Sequence, residues 1–252
     1  MKNILLVIVV FSSSFLFSQE KEWGKSGQSS FLISPHYAAS FALGDLQKRY
    51  GFLNHIGAGL SYKTSSNWIF GADGSFIFGN KNKFTGLFDH LVDSKGQISD
   101  VNGDVGIVVV NPRGLTFNAH VGKVFPVSKS NPNSGIFLRL NAGYLQHKLN
   151  VETRDHVVPS LELNYRKGYD RFTSGFASEQ FLGYLFIGNN EYVNFYAGGF
   201  IQEGFTRNRR NLNYDQPDIP VDKSLRLDIM VGIKVAWVFL AYSKSSKTSF
   251  YK

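Results

Sequence analysis

The chain has no cysteine, so a disulfide framework and a thiolate metal centre are both excluded. Charged residues make up only 18% of its 252 residues. After residue 17 no run is apolar enough for a membrane helix of the ~20 residues a span requires. No phosphate-cradling glycine loop of the Walker type is present, and no dinucleotide fingerprint leads from a strand into a helix.

What the chain does have is 23 Phe, 12 Tyr and 25 Gly. Many aromatics and glycines with few charges suit strands that face lipid on one side. The last third reads most clearly. Leu225, Leu227, Ile229, Val231, Ile233, Val235, Trp237 and Phe239 share one face of residues 225–242. Arg226, Asp228, Met230, Gly232, Lys234 and Ala236 share the other. A period of two with an unbroken apolar face specifies a strand.

The same alternation recurs along the chain and predicts eight strands: 31–43, 55–64, 68–79, 114–126, 135–150, 176–187, 192–205 and 225–242. Short turns follow the second, fourth and sixth strands, at Ser65-Ser66-Asn67, 127–134 and Gly188-Asn189-Asn190-Glu191. Long polar loops follow the first, third, fifth and seventh. An even count with short turns on one side and long loops on the other is the pattern of a transmembrane barrel. The fold class expected is all-β: an eight-stranded antiparallel up-and-down transmembrane β-barrel with four long outer loops and short periplasmic turns. Each strand is long enough for the ~9–11 tilted residues of a crossing, and closure removes the edges that lipid would not tolerate.

Residues 80–113 fit this scheme less easily. A short helix is expected at 85–92, followed by an Asn102-Gly103 turn. The apolar run 105–110 is assigned to a structured outer loop, as a hairpin rising above the rim, because a ninth crossing would break the turn asymmetry. Tyr62, Trp68, Phe125, Phe186, Phe195, Trp237 and Phe239 fall near the short-turn ends, where interfacial rings are expected. The sixth strand is ambiguous. Leu182, Tyr184 and Phe186 compete with Phe181, Leu185 and Ile187 for the lipid face, so the direction of Glu179 is open.

The N-terminus reads as a secretory leader. Met1-Lys2-Asn3 begins positive, the stretch 4–17 is apolar apart from Ser12-Ser13-Ser14, and Ser18-Gln19 offers a cleavage point. The expected organisation is a signal peptide at 1–18, a periplasmic lead-in at 19–30, the barrel at 31–242 and a basic tail at 243–252. Losing Lys2 with the leader would take the formal charge from +8 to +7. For an exported basic chain the acidic partner expected is outer-membrane glycolipid phosphate, together with an envelope protein, and no nucleic acid.

The leader, the strand count and the turn asymmetry resemble the small OmpA/OmpX-type barrels. The Ser18-Gln19 junction and the Gly/Phe/Tyr-rich strands resemble small barrels of the Bacteroidota outer membrane. The resemblance covers residues 31–242 and implies an outer-membrane location. It also implies a role ranging from structural to accessory within secretion or assembly machines. One departure stands out: the chain ends on the basic tail, with Phe250-Tyr251 just before Lys252, where such barrels often end on a strand-closing aromatic.

Candidate sites follow from the alternation. His36, Lys63, Asp73, His120, Arg139, Asn141, Gln202, Arg226, Asp228 and Lys234 are expected to point inward. There they would form a paired polar network, since buried charges must be compensated. Arg166, Lys167, Arg171, Arg207, Arg209 and Arg210 lie in the third and fourth loops or beside them. They are expected to dock glycolipid phosphate or a protein partner, because guanidinium matches phosphate bidentately. No catalytic, cofactor or metal residue is assigned. Asp100-Val101-Asn102-Gly103-Asp104 has the alternating oxygens of a calcium loop, but Val105 and Asn111 stand where its glycine and closing glutamate would be. A narrow passive pore and a lipid A-modifying enzyme are the alternative functions. His147 and His156, with Glu152 and Asp155, are the nearest approach to a rim site.

Overall fold

The computed structural model describes residues 29–154, 157–162, 164–188 and 193–241. The signal peptide, most of the lead-in, the turn residues 189–192, His156 and the basic tail lie outside them.

The strands are β1 (Ser30–Gly44), β2 (Phe52–Lys63), β3 (Trp68–Phe78), β4 (Ile107–Ser128), β5 (Asn131–Arg154), β6 (Thr173–Ile187), β7 (Asn194–Asn208), β8 (Arg226–Trp237) and β9 (Phe239–Ala241). β9 continues the line of β8 past Val238, and both pair with β1. The barrel therefore has eight staves. Every pairing is antiparallel between neighbours, and β1 closes the ring by pairing with β2 on one side and β8 on the other.

The register records the tilt. Starting at Ser34, the partners run through Gly59, Asp73, Asn118, Gly143, Ala177, Gly204 and Asp228, and return to β1 at Gly44. The circuit comes back ten residues further along the strand (44 − 34). Such a stagger is what closing a sheet demands, and with eight strands the interior is only wide enough for side chains.

Alternation decides which side chains face out. Phe41, Leu60, Phe117, Leu140, Leu182 and Ile233 are among the exposed apolar groups that coat the exterior. The interface rings Tyr62, Trp68, Phe125, Phe195, Trp237 and Phe239 are exposed as well. β6 resolves in favour of Leu182, Tyr184 and Phe186 outward, so Phe181, Leu185, Ile187 and Glu179 point inward.

Three expectations are corrected. β4 begins at Ile107 rather than 114, so residues 107–110 of the apolar run are the upper part of a stave, while Val105 bridges Ser99 outside it. It pairs with β5 from Ile107↔Arg154 downward, and this hairpin rises above the other staves. The expected turn at 127–134 shrinks to Lys129 and Ser130, because both strands continue towards it. The expected helix at 85–92 is irregular with a turn at 87–91, since its apolar groups serve two different clusters. The turn after β2 needs a left-handed residue, and Asn67 supplies it with φ 66°.

Two apolar clusters occupy the interior. One, in the short-turn half, is built around Phe137, Phe181, Leu185, Tyr196 and Phe200. The other closes the long-loop mouth, with Leu46, Tyr50, Leu53, Ile77, Leu145 and Met230. A third, formed by Val151, Val158, Leu161 and Tyr169, packs residues of 79–106, 157–162 and 164–172 on the raised hairpin as a cap.

Candidate functional site

Between the two apolar plugs lies a polar belt. Glu179 Oε1 accepts from Lys234 Nζ at 2.5 Å, Asn141 Nδ2 at 3.1 Å and Arg139 Nη2 at 3.2 Å. Asp73 Oδ1 accepts from His120 Nδ1 at 3.1 Å and Asn141 Nδ2 at 3.3 Å, which joins the two carboxylates into one network. Nearer the outer mouth, Asp228 Oδ2 accepts from Thr206 Oγ1 at 2.5 Å and His147 Nε2 at 2.9 Å. Towards the short turns, Lys63 Nζ donates to Asn133 Oδ1 at 2.9 Å. Among the described residues the buried charges of the spanning part are Lys63, Arg139 and Lys234 against Asp73, Glu179 and Asp228. Three of each sign balance within the strands, the condition under which buried charge is tolerable, and the buried Arg49 at the outer mouth donates to Thr173 Oγ1 at 3.2 Å.

The register explains the convergence. His120 lies beside Gly71, which lies beside Ser61, so residues far apart in sequence meet across two strand pairs. Arg226 does not join them. It sits at the outer end of β8 and donates to Asp222, in the loop.

One arrangement escaped the sequence reading. Ser61 Oγ donates to His120 Nε2 at 2.9 Å, and the opposite ring nitrogen donates to Asp73. Hydroxyl, imidazole and carboxylate in this order are the parts of an acyl-transfer triad. The surroundings prevent that chemistry. All three residues are buried. The cavity that Ser61 and His120 line, with Phe137 and Tyr196, measures about 10 Å³. That is room for about one water, and no scissile carbonyl fits. The other lumen histidines are likewise held by hydroxyls: His36 by Ser75 at 2.7 Å, His55 by Ser40 at 2.8 Å and His147 by Tyr50 at 3.2 Å. Substituting Ser61 by alanine is therefore expected to leave ester and lipid A hydrolysis at the level of a mock preparation, as in the wild type. A chromogenic ester assay and lipid A mass profiles check this.

The cationic loop residues fall into two groups. Arg171 is buried and donates to Asp215 at 2.5 Å. Arg210 grips Asp170 with Nε and Nη2, and this hydrogen bonding raises its pKa further. Arg166 bonds Glu162 and the Leu161 carbonyl, and Lys167 bonds Asn164 Oδ1. These four hold the cap together. Tyr169, whose pKa burial pushes up, is wedged between Phe88, His90 and Tyr214. Arg207 and Arg209 instead lie on the outside of the barrel at the outer end of β7. The calcium-like segment closes on itself, with Asp100 Oδ1 accepting the backbone N–H groups of Asn102 and Asp104.

Breaking the Arg171–Asp215 pair is expected to loosen the cap without opening the staves. Removing one partner of a buried pair costs about 3–5 kcal/mol, and here the loss falls on the loops. External protease on intact cells should cut Arg171→Ala within 155–172 or 209–225 while the remaining barrel keeps its heat-resistant migration.

A closed ring of tilted strands, apolar outside and side-chain-filled within, is a membrane-spanning β-barrel. No protein-family model matches the chain, and no curated protein matches it in sequence. Among solved structures the chain is similar to Neisserial surface protein A at 14% identity, over 82% of this chain and 97% of that one, with a TM-score of 0.39. It is also similar to Ail of Yersinia pestis, at 12% identity over 86% and 100% of the two chains, TM-score 0.34. The outer-membrane protein OprG of Pseudomonas aeruginosa matches at 12% identity over 85% and 98%, TM-score 0.33.

Proposed function

We propose that the chain is a non-enzymatic outer-membrane barrel that acts as a structural or accessory subunit, docking an envelope protein through its outer cap. The observation that carries this reading is the combination of a filled lumen with an ordered, partly apolar cap. A barrel whose lumen holds two apolar plugs and a neutral ion-paired belt does not serve as a water-filled conduit. What remains for function is surface. On the raised hairpin and the loop packed on it, Val101, Val105, Ile107 and Val157 are exposed. They are neighbours, because the Val101 N–H donates to the Val157 carbonyl at 3.0 Å and Ile107 begins the stave beside it. Apolar patches held out in water mark contact surfaces.

The leader-like N-terminus and the lipid-type exterior support an outer-membrane location. A secretion or barrel-assembly machine is the partner class to test first, on fold-level analogy alone. Affinity capture of tagged protein from native outer membrane in mild detergent, followed by mass spectrometry, is the test. A stoichiometric envelope protein that is lost in the Val101→Asp/Val157→Asp variant is the expected result. A clean monomer in both would contradict the docking role.

A further inference from the structure

The outward positions between the rims are mostly apolar, but three neighbours in the outer half of β6 and β7 are not. Glu203 shares the outward face of β7 with Ile201 and Phe205. Its Oε2 accepts from Ser178 Oγ at 2.8 Å and from Gln180 Nε2 at 2.9 Å, both on the outward face of β6. Both donors are neutral. An ionisable group set into the apolar belt is costly and marks a functional contact.

The rows above it have a definite order. Beside and above Glu203 the register joins Tyr144, Phe176 and Phe205. Beyond these rings Arg207 faces out beside Ser174. Arg209 folds back onto the same serine, with Nε to Oγ at 2.9 Å and Nη2 to the carbonyl at 3.1 Å. Lys148, exposed on β5, stands one outward position beyond Gln146, the partner of Ser174. Four residues separate Glu203 from Arg207, about 13 Å at the usual rise of a strand. Cations, then rings, then a carboxylate and an amide thus descend one strip of the wall.

We infer that this strip binds one phosphorylated glycolipid of the outer leaflet whose acyl chains are amide-linked and hydroxylated. Its phosphates lie on Arg207, Arg209 and Lys148, its upper methylenes lie against Phe176 and Phe205, and its amide N–H or chain hydroxyl donates to Glu203. The cations select phosphate by charge and fork geometry. The carboxylate selects the depth below it, because a carboxylate only accepts hydrogen bonds. The esters of an ordinary glycerophospholipid offer acceptors alone and add no donor to the two that Glu203 Oε2 takes from Ser178 and Gln180. Amides and hydroxyls offer donors. This inference rests on the outer-membrane reading.

The test is retention of lipid by the full chain in detergent, read by native mass spectrometry. The probes are lipid A, dephosphorylated lipid A and phosphatidylglycerol. Wild type is expected to retain lipid A at least tenfold better than either control. Arg207→Gln/Arg209→Gln should bring lipid A down to the level of its dephosphorylated form. Glu203→Leu should bring it down to the level of phosphatidylglycerol, while Glu203→Gln, which still accepts, should keep part of the preference. Heat-resistant migration of each variant shows that it is folded. Equal retention of the three lipids would overturn the inference, and so would variants that bind like wild type. Full displacement by millimolar inorganic phosphate would reassign the site to the free anion. A dimer in wild type that Glu203→Leu abolishes would reassign it to a second copy of the chain. If wild type itself lacks heat-resistant migration, the outer-membrane reading fails. If it migrates as a barrel and binds without selectivity, only the lipid site fails.

Discussion

Replacing Glu179 by alanine is expected to destabilise the barrel by about 3–5 kcal/mol, the range for removing one partner of a buried ion pair. The reason is local. Glu179 Oε1 takes hydrogen bonds from Lys234, Arg139 and Asn141, and its side chain and both cations are almost wholly buried. Without it two like charges remain enclosed between apolar plugs, with Asp73 as the nearest carboxylate of the network. The readout is the denaturant concentration at which heat-resistant migration is lost. A companion variant separates charge from shape. Replacing Arg139 and Lys234 by Met, Glu179 by Leu and Asp73 by Asn together, which removes two charges of each sign, should recover most of the loss, because well-packed apolar groups can substitute for a buried ionic cluster. If Glu179→Ala melts like wild type, water reaches the belt and the lumen is not closed.

Phe181→Ala is expected to cost a further class of stability, about 3–5 kcal/mol, from lost transfer energy and the cavity left behind. The Phe181 ring packs edge-on against Tyr196 at 5.4 Å and Phe137 at 5.7 Å, and the Arg139 guanidinium lies 5.4 Å from its centroid. The variant should nevertheless pass no current in a planar bilayer. The belt above it and the Leu46–Tyr50–Met230 cluster above that remain in place. Discrete conductance steps from wild type, or from this variant alone, would contradict the two-plug description.

The fold was legible where membrane physics writes on both faces. From Leu225 to Phe239 lipid lies on one side and a packed lumen on the other, so alternation is clean. It fails where that contrast vanishes. Ile107–Val110 stand above the neighbouring staves, where neither face meets the lumen, and the run shows no period although it is strand. In β6 the inward Phe181, Leu185 and Ile187 build the lower plug, so both faces are apolar and parity cannot be read from hydropathy. The apolar residues of 85–92 look helical in spacing, but Leu87 serves the mouth cluster while Leu91 serves the cap.

The inward parity of His36, Lys63, Asp73, His120, Arg139, Asp228 and Lys234 was legible in the same way, but not that Arg226 turns to Asp222 in the loop, and not the partnerships of the rest. Ser61 meets His120 only through the stagger of β2, β3 and β4, which no local spacing encodes. The loop arginines were legible as cations, but not that Arg166, Arg171 and Arg210 are spent inside the cap while Arg207 and Arg209 remain on the wall. Glu203 could have been found: it has the parity of Phe195 and Phe205, and a carboxylate on that face is an anomaly visible from alternation alone.

The measurement that bears most directly on a closed, lipid-embedded barrel uses the absence of cysteine. Single cysteines placed at Phe117, Leu140 and Ile233 on the outside, at Ser40, Asn141 and Thr206 in the lumen, and at Val101 on the cap can be probed in native membranes with a charged maleimide. The account predicts that Val101→Cys labels, and that neither the wall nor the lumen positions do. Labelling of the lumen set would mean a water-filled pore, and labelling of the wall set would mean a protein that does not sit in lipid.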